Sequence, residues 1–256
     1  MNVFHALVFG IVEGITEFLP ISSTGHLILT ARLLGLQQTD FIASFEIAIQ
    51  VGAILAVVVL YARRVFADFE IAKRVAAGFI PTAVVGFVLY KIIKKILVTG
   101  APVVLVSLFV GGIIMILIER VYREKPGASE DLKSITYRQA AIIGLAQSLA
   151  MVPGVSRAAA TICGGMLLGL KRKTVTEYSF LLAVPTMLAA TALDLLKHGA
   201  SFSGADWQVL AVGFVVSFAV AILAIRFLLA LIKNHGFTSF GVYRILAALA
   251  FWLLVK

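Results

Sequence analysis

Two short stretches of an otherwise apolar chain carry the side chains that could do chemistry. In the first, Glu13 and Glu17 stand four apart and are followed by Ser22-Ser23-Thr24-Gly25-His26; in the second, Pro153-Gly154 leads into Ser156, Arg157 and Thr161. Residues i and i+4 share a helix face, so the two glutamates point the same way. Such a pair is either a simple helix-facing pair or the hard-oxygen half of a site for Mg2+ or Ca2+, which would neutralise phosphate oxygens. The Ser/Thr run suits an N-cap, and capping alone leaves His26 unexplained. Free backbone N–H groups and hydroxyls at a helix N-terminus make an anion site, while an imidazole beside a serine offers a base for a nucleophile or an acid for a leaving oxygen.

Arg157 sharpens that reading. A guanidinium cannot shed its charge, and at the tip of a hairpin inside a membrane it needs a buried anion. Glu17 is one candidate partner. A phosphate ligand is the other, because Arg grips phosphate with two parallel bonds and stabilises the charge that spreads in phosphoryl transfer. Glu17, Ser23, His26 and Arg157 are therefore the candidate catalytic group, and Glu13 with Glu17 the candidate metal pair. Ser22, Thr24, Ser156 and Thr161 join Arg157 as candidate substrate binders. Glu46 and Gln50, four apart on the next helix, could support the site from behind or bond between helices. Glu177, Asp194, Arg226 and Arg244 lie nearer span ends, where a charged head reaching back to water is the default. His5, His198 and His235 fit no metal spacing.

The elements that must position these groups are membrane helices. With 61% of residues apolar and 14% charged, the solvent for most of the chain is lipid. Backbone groups in lipid must be satisfied internally, and runs of roughly 20 apolar residues without strand-like alternation read as helices. Six apolar runs are long enough to span, at roughly 41–62, 75–96, 102–119, 176–196, 207–231 and 240–255. Segments 3–34 and 137–169 are broken by the two polar motifs, and each is read as a re-entrant helix-loop-helix hairpin rather than one kinked span. The fold expected is therefore all-α and polytopic, with six transmembrane helices and two such hairpins.

The halves 1–121 and 137–256 resemble each other at an offset of about 134 residues: Gly10-Ile11-Val12-Glu13 falls on Gly144-Leu145-Ala146-Gln147, and Pro20 to Ser23 on Pro153 to Ser156. One hairpin and three spans per half force the second half to insert upside down, so that the hairpins meet near the midplane from opposite faces. Loops holding Arg63, Arg64, Lys73, Arg74, Arg120, Arg123, Lys133, Arg138 and Lys171 to Lys173 mark the cytoplasmic side, including the 120–136 linker; both termini and the first hairpin then face outward. The formal charge of +9 is thus a topology signal spread over several loops, which argues against a nucleic-acid partner. Met1 to Gly10 lacks the basic start of a signal peptide and is read as retained sequence. Cys163 lies in a small-residue stretch suited to tight helix packing, and Gly111-Gly112 and Gly164-Gly165 permit close contact within one chain or in a homodimer.

Glu13-Gly14-Ile15-Thr16-Glu17-Phe18-Leu19-Pro20 with its Ser22 to His26 tail, and Pro153-Gly154-Val155-Ser156-Arg157 with Thr161, together resemble the bacterial undecaprenyl-diphosphate phosphatase family, often called BacA or UppP. The resemblance covers essentially the whole chain. It implies hydrolysis of undecaprenyl diphosphate to the monophosphate and phosphate, recycling the lipid carrier for peptidoglycan synthesis in the bacterial inner membrane, with bacitracin resistance on overproduction and a site toward the periplasm. By the same resemblance, the phosphate-binding arginine is Arg157, the acidic pair Glu13 and Glu17, and the hydroxyl and imidazole groups Ser23 and His26. Ala158 and Ala159 stand where the family usually has Ser and Gly, so this chain lacks that hydroxyl. The nucleophile can be Ser23, His26 or a metal-activated water. A lipid flippase is the rival function, since hairpins meeting at the midplane are also transporter architecture.

Overall fold

The computed structural model describes residues 1–37, 39–89, 101–124, 127, 129–198 and 204–254, and what it describes is helical. Ten α-helices follow in order: α1 (Val3–Thr16), α2 (Ser23–Leu33), α3 (Asp40–Ala67), α4 (Phe69–Val88), α5 (Ala101–Val121), α6 (Tyr137–Gln147), α7 (Arg157–Leu167), α8 (Arg172–His198), α9 (Gly204–Leu231) and α10 (Thr238–Leu254). Short 3-10 turns at Leu132–Ser134 and Ser148–Met151 precede and follow α6. Five helices, α3, α4, α5, α8 and α9, are long and apolar enough to cross a membrane, which makes the chain a multi-pass membrane protein. At 17 residues, α10 is the short member of the expected set, about 25 Å at 1.5 Å per residue.

The starts of these helices are chemically marked. Asn2 caps α1, and His5 completes the capping box by accepting from the Asn2 N–H, which gives that histidine a structural task. Thr39 caps α3, Asp68 caps α4 and Thr136 caps α6. Because α4 begins at the Asp68 cap, its first two turns carry Glu70, Lys73 and Arg74, and the helix starts six residues before the expected apolar run. The far end of that run, 90–96, and with it Lys94 and Lys95, lies outside the described residues.

Both polar motifs interrupt helices, as expected. The chain leaves α1 at Thr16 and re-enters helix at Ser23; it leaves α6 at Gln147 and re-enters at Arg157. With 14 and 11 residues, α1 and α6 reach only about 21 and 16 Å, too short to cross alone. They pack in matched ways: α1 lies on α9 and α6 on α4, α3 packs against α9 and α4 against α8, while α3–α8 and α5–α10 pair across the molecule. The matched crossings are glycine-to-glycine. A Cβ on Gly10 would sit 2.7 Å from the Gly213 carbonyl oxygen, and one on Gly144 would overlap the Gly78 carbonyl. Close backbone approach of this kind is how helices associate where no hydrophobic force acts between them. The other small-residue faces are also used within the chain, Gly111 and Gly112 against α10 and Gly164 and Gly165 against Ala146 and Val175. Half-buried Cys163 packs on the main apolar core.

The basic loops are tied to one another at one end of the molecule. Arg64 pairs with Glu177, Arg74 with Glu70, Lys133 with Asp68, Lys173 with Glu130, and Arg172 with Glu119 and Glu124. Glu177, expected to reach water from a span end, is instead buried against Arg64, whereas Arg226 is exposed. The side chain of Asp194 lies outside what is described. The crossing at Gly144 makes a direct prediction: Gly144→Val pushes α6 off α4, costs about 1–3 kcal/mol of overpacking strain, and lowers the thermal unfolding midpoint in detergent. An unchanged midpoint would show that α6 has room the packing denies.

Candidate active site

The two breaks end in the same backbone conformation. Ser22 and Ser156 have φ of 72° and 74°, the only non-glycine residues with positive φ among those described. Each caps the following helix through its hydroxyl, Ser22 Oγ accepting from the Gly25 N–H at 3.4 Å and Ser156 Oγ from the Ala159 N–H at 3.2 Å. A β-carbon in this region is strained, and such strain persists only where the surroundings hold it. The backbone thus pairs Ser22 with Ser156, and the residues that open the next helices, Ser23 and Arg157, become counterparts. The motif alignment had paired Ser23 with Ser156; Gly154, at φ 90°, is the extra residue that shifts it.

These two counterparts converge on Glu17. Ser23 Oγ donates to Glu17 Oε2 at 2.6 Å, and Arg157 Nη2 donates to Glu17 Oε1 at 3.2 Å. The carboxylate is almost fully buried and the guanidinium nearly so, which makes this the buried ion pair the sequence offered as one of two roles for Arg157. Arg157 is steadied elsewhere: Nη1 donates to the Ser179 carbonyl at 2.9 Å, and the guanidinium lies 5.7 Å from the Phe18 ring centre. Thr161 shares a 2.6 Å hydrogen bond with Ser179 and is wholly buried, so it backs the arginine rather than facing a ligand.

A cavity of about 210 Å³ opens in front of this pair. Glu17, Ser22, Ser23, Thr24, Ser156, Arg157 and Gln50 all line it. Its further wall went unremarked in the sequence. Gln147 donates from Nε2 to Thr82 and Thr186, both at 3.0 Å, and each threonine follows a proline inside its helix, Pro81 in α4 and Pro185 in α8. Gln147 had shown itself only as the repeat counterpart of Glu13.

Glu13, His26 and Glu46 are not among the lining residues. Glu13 is fully buried one turn before Glu17, neither carboxylate oxygen has a hydrogen-bond partner, and Glu17 and Glu46 are the acidic groups facing it. An orphaned buried carboxylate beside a second one is a donor set that fits a hard divalent cation. Among the described residues no group of three or more His, Cys, Asp or Glu forms a larger metal cluster. His26 is turned away from Ser23, with Nδ1 2.8 Å from the Ser22 carbonyl and Nε2 2.7 Å from the Tyr243 hydroxyl.

The loops themselves are held by Arg244. The sequence reading sent this residue to water, yet it is fully buried and donates to the carbonyls of Pro20, Gly154, Val155, Ser107 and Leu108 at 2.9 to 3.4 Å. Gly111 makes the space, since a Cβ there would collide with the guanidinium. One buried cation therefore satisfies carbonyls of both breaks and of α5.

Comparison with known proteins gives a consistent result. Residues 6–250 match the family described as bacitracin resistance protein BacA. The chain is 53% identical to an undecaprenyl-diphosphatase of Aquifex aeolicus over 98% of both chains, 51% identical to one of Sulfurihydrogenibium sp. over 99% of both, and 48% identical to one of Persephonella marina over the full length of both.

Replacing Arg244 by Met removes the five-carbonyl grip while keeping much of the volume. Each stranded buried carbonyl costs about 1–3 kcal/mol, so the unfolding midpoint in detergent drops steeply. A midpoint equal to that of the parent would mean that the loops hold without the guanidinium.

Proposed function

The chain belongs to the bacitracin resistance protein BacA family, and from that membership we infer that it is an undecaprenyl-diphosphatase, hydrolysing undecaprenyl diphosphate to undecaprenyl phosphate and inorganic phosphate. The meeting of Ser23, Glu17 and Arg157 at one cavity is the observation that carries the mechanism. The diphosphate enters that cavity and takes the Arg157 Nη2 that Glu17 now holds, while Nη1 stays on the Ser179 carbonyl. Glu17, relieved of its cation, accepts the Ser23 proton through the hydrogen bond already in place. Ser23 Oγ attacks the terminal phosphorus, the bond to the bridging oxygen breaks, and undecaprenyl phosphate leaves. Glu17 yields the proton it took from Ser23 to the leaving undecaprenyl phosphate, and water then attacks the phosphoserine, passing one proton to Ser23 through Glu17 and releasing phosphate. Arg157 and the N–H groups at the starts of α2 and α7 stabilise the charge that develops on the equatorial oxygens.

In the alternative to Glu17 acting as base, Glu13 and Glu17 would hold the divalent cation, Mg2+ or Ca2+, whose chemistry is to neutralise phosphate oxygens. Ser22, Thr24 and Ser156, together with Gln50, line the space the two phosphates would fill.

For the membrane arrangement we keep the inverted repeat of halves 1–121 and 137–256. The paired positive-φ serines and the matched helix packing support it. The two broken segments are then re-entrant hairpins, α10 is the sixth span, the basic loops face the cytoplasm of a bacterial inner membrane, and the site opens toward the outside.

Purified protein in detergent is expected to release phosphate from undecaprenyl diphosphate, which a flippase, needing a sealed bilayer, would not do. Arg157→Ala, Glu17→Gln and Ser23→Ala each lower kcat by about two orders of magnitude or more, and rapid quench of the parent traps a phosphoserine at position 23. Chelation that abolishes release, with recovery on adding Mg2+ or Ca2+, supports the cation; undiminished release rejects it. No release from well-folded parent protein sinks the phosphatase reading.

A further inference from the structure

We propose that His26 is a positioning residue, that Tyr243 is its partner, and that the pair aims Ser23 by holding the carbonyl of Ser22. The proposal rests on the phosphatase reading and assigns a task within that same site. A carbonyl oxygen only accepts, so the 2.8 Å contact between Ser22 O and His26 Nδ1 places a hydrogen on Nδ1. In the neutral ring Nε2 is then the acceptor, and the Tyr243 hydroxyl 2.7 Å away donates to it. The rings stack almost parallel, 9° apart with centroids at 5.6 Å, and Phe251 closes the edge at 5.9 Å. Both nitrogens of His26 are therefore engaged by groups other than Ser23.

The place they act on is the strained one. Ser22 sits at φ 72°, ψ 95°, its carbonyl also accepting from the His26 N–H at 3.3 Å, and the next residue is the one that donates to Glu17. If Ser22 relaxes, the direction of Ser23 Oγ changes with it. On α10 the neighbour of Tyr243 is Arg244, which grips the Pro20 carbonyl two residues upstream of Ser22. Two adjacent residues of one helix thus hold the loop at two points, one directly and one through the imidazole. The second break has no imidazole relay, and there Arg244 bonds directly to the Gly154 and Val155 carbonyls that precede Ser156.

Isosteres separate positioning from proton transfer. Asn at position 26 keeps a donor near Nδ1 and loses Nε2, whereas Gln places its amide near Nε2 and loses the Nδ1 donor. Expected for phosphate release is a kcat within about tenfold of the parent for His26→Asn, a loss of about a hundredfold for His26→Gln, and KM within about twofold for both. The pH profile of His26→Asn keeps both limbs. Tyr243→Phe removes one of the two bonds that fix the tautomer and lowers kcat by about tenfold, and combining it with His26→Asn adds no further loss, because an amide has no tautomer to fix. Nitrogen-15 spectra of histidine-labelled protein, with His26→Asn identifying the signal, show His26 protonated on Nδ1 alone and a mixture in Tyr243→Phe. His26→Asn as inactive as His26→Ala, a lost pH limb, or losses that multiply in the double variant would overturn the proposal. Inactive parent protein sinks the phosphatase reading instead, and the tautomer spectra are read independently of it.

Discussion

Irregular backbone at membrane depth must find hydrogen-bond partners inside the protein, and the rest of this structure depends on how that demand is met. Two helices stop short and restart, which leaves carbonyls and N–H groups inside the protein without partners from the helix itself. Serine hydroxyls satisfy N–H groups at the restarts, and the Arg244 guanidinium satisfies carbonyls on the way in. Its five acceptors come from three stretches of chain, so meeting the demand also fixes those stretches relative to one another. The active groups inherit their spacing from this arrangement, since Ser23 and Arg157 are simply the first residues after the two held loops.

Glu17 sits where the two restarts face each other, and its two oxygens are divided between them. In the resting protein the carboxylate is neutralised by Arg157 and bonded to Ser23, which makes burial tolerable. On the proposed mechanism an incoming phosphate competes for the same guanidinium and so alters the carboxylate before any bond is broken. Substrate binding and activation of the hydroxyl would in this way be one rearrangement. The Ser179 carbonyl keeps the arginine from leaving with its new partner.

Much of this was legible in the sequence because lipid leaves few options. The apolar runs located the helices, and the polar motifs located the breaks and the residues of the cavity. What escaped did so for physical reasons. Hydropathy marks the stretch that sits in lipid rather than the ends of a helix, so the charged first two turns of α4 were missed. Arg244 looked like a span-end cation because its acceptors are carbonyls as far away as Pro20, a kind of partner that leaves no compositional trace. His26 seemed to belong to Ser23 by proximity in the chain, yet its side chain bonds to a tyrosine 217 residues further on. The repeat was visible and its register was not, because one glycine shifts the second motif by a single residue.

That register carries a last consequence. Where one half presents Glu13 and Ser23, the other presents Gln147 and Arg157, so a nearly symmetric backbone encloses an electrically lopsided interior. Acid gathers on the first broken segment and cation on the second. A ligand with two different ends, one phosphate terminal and one esterified, meets a field that distinguishes them before any contact does.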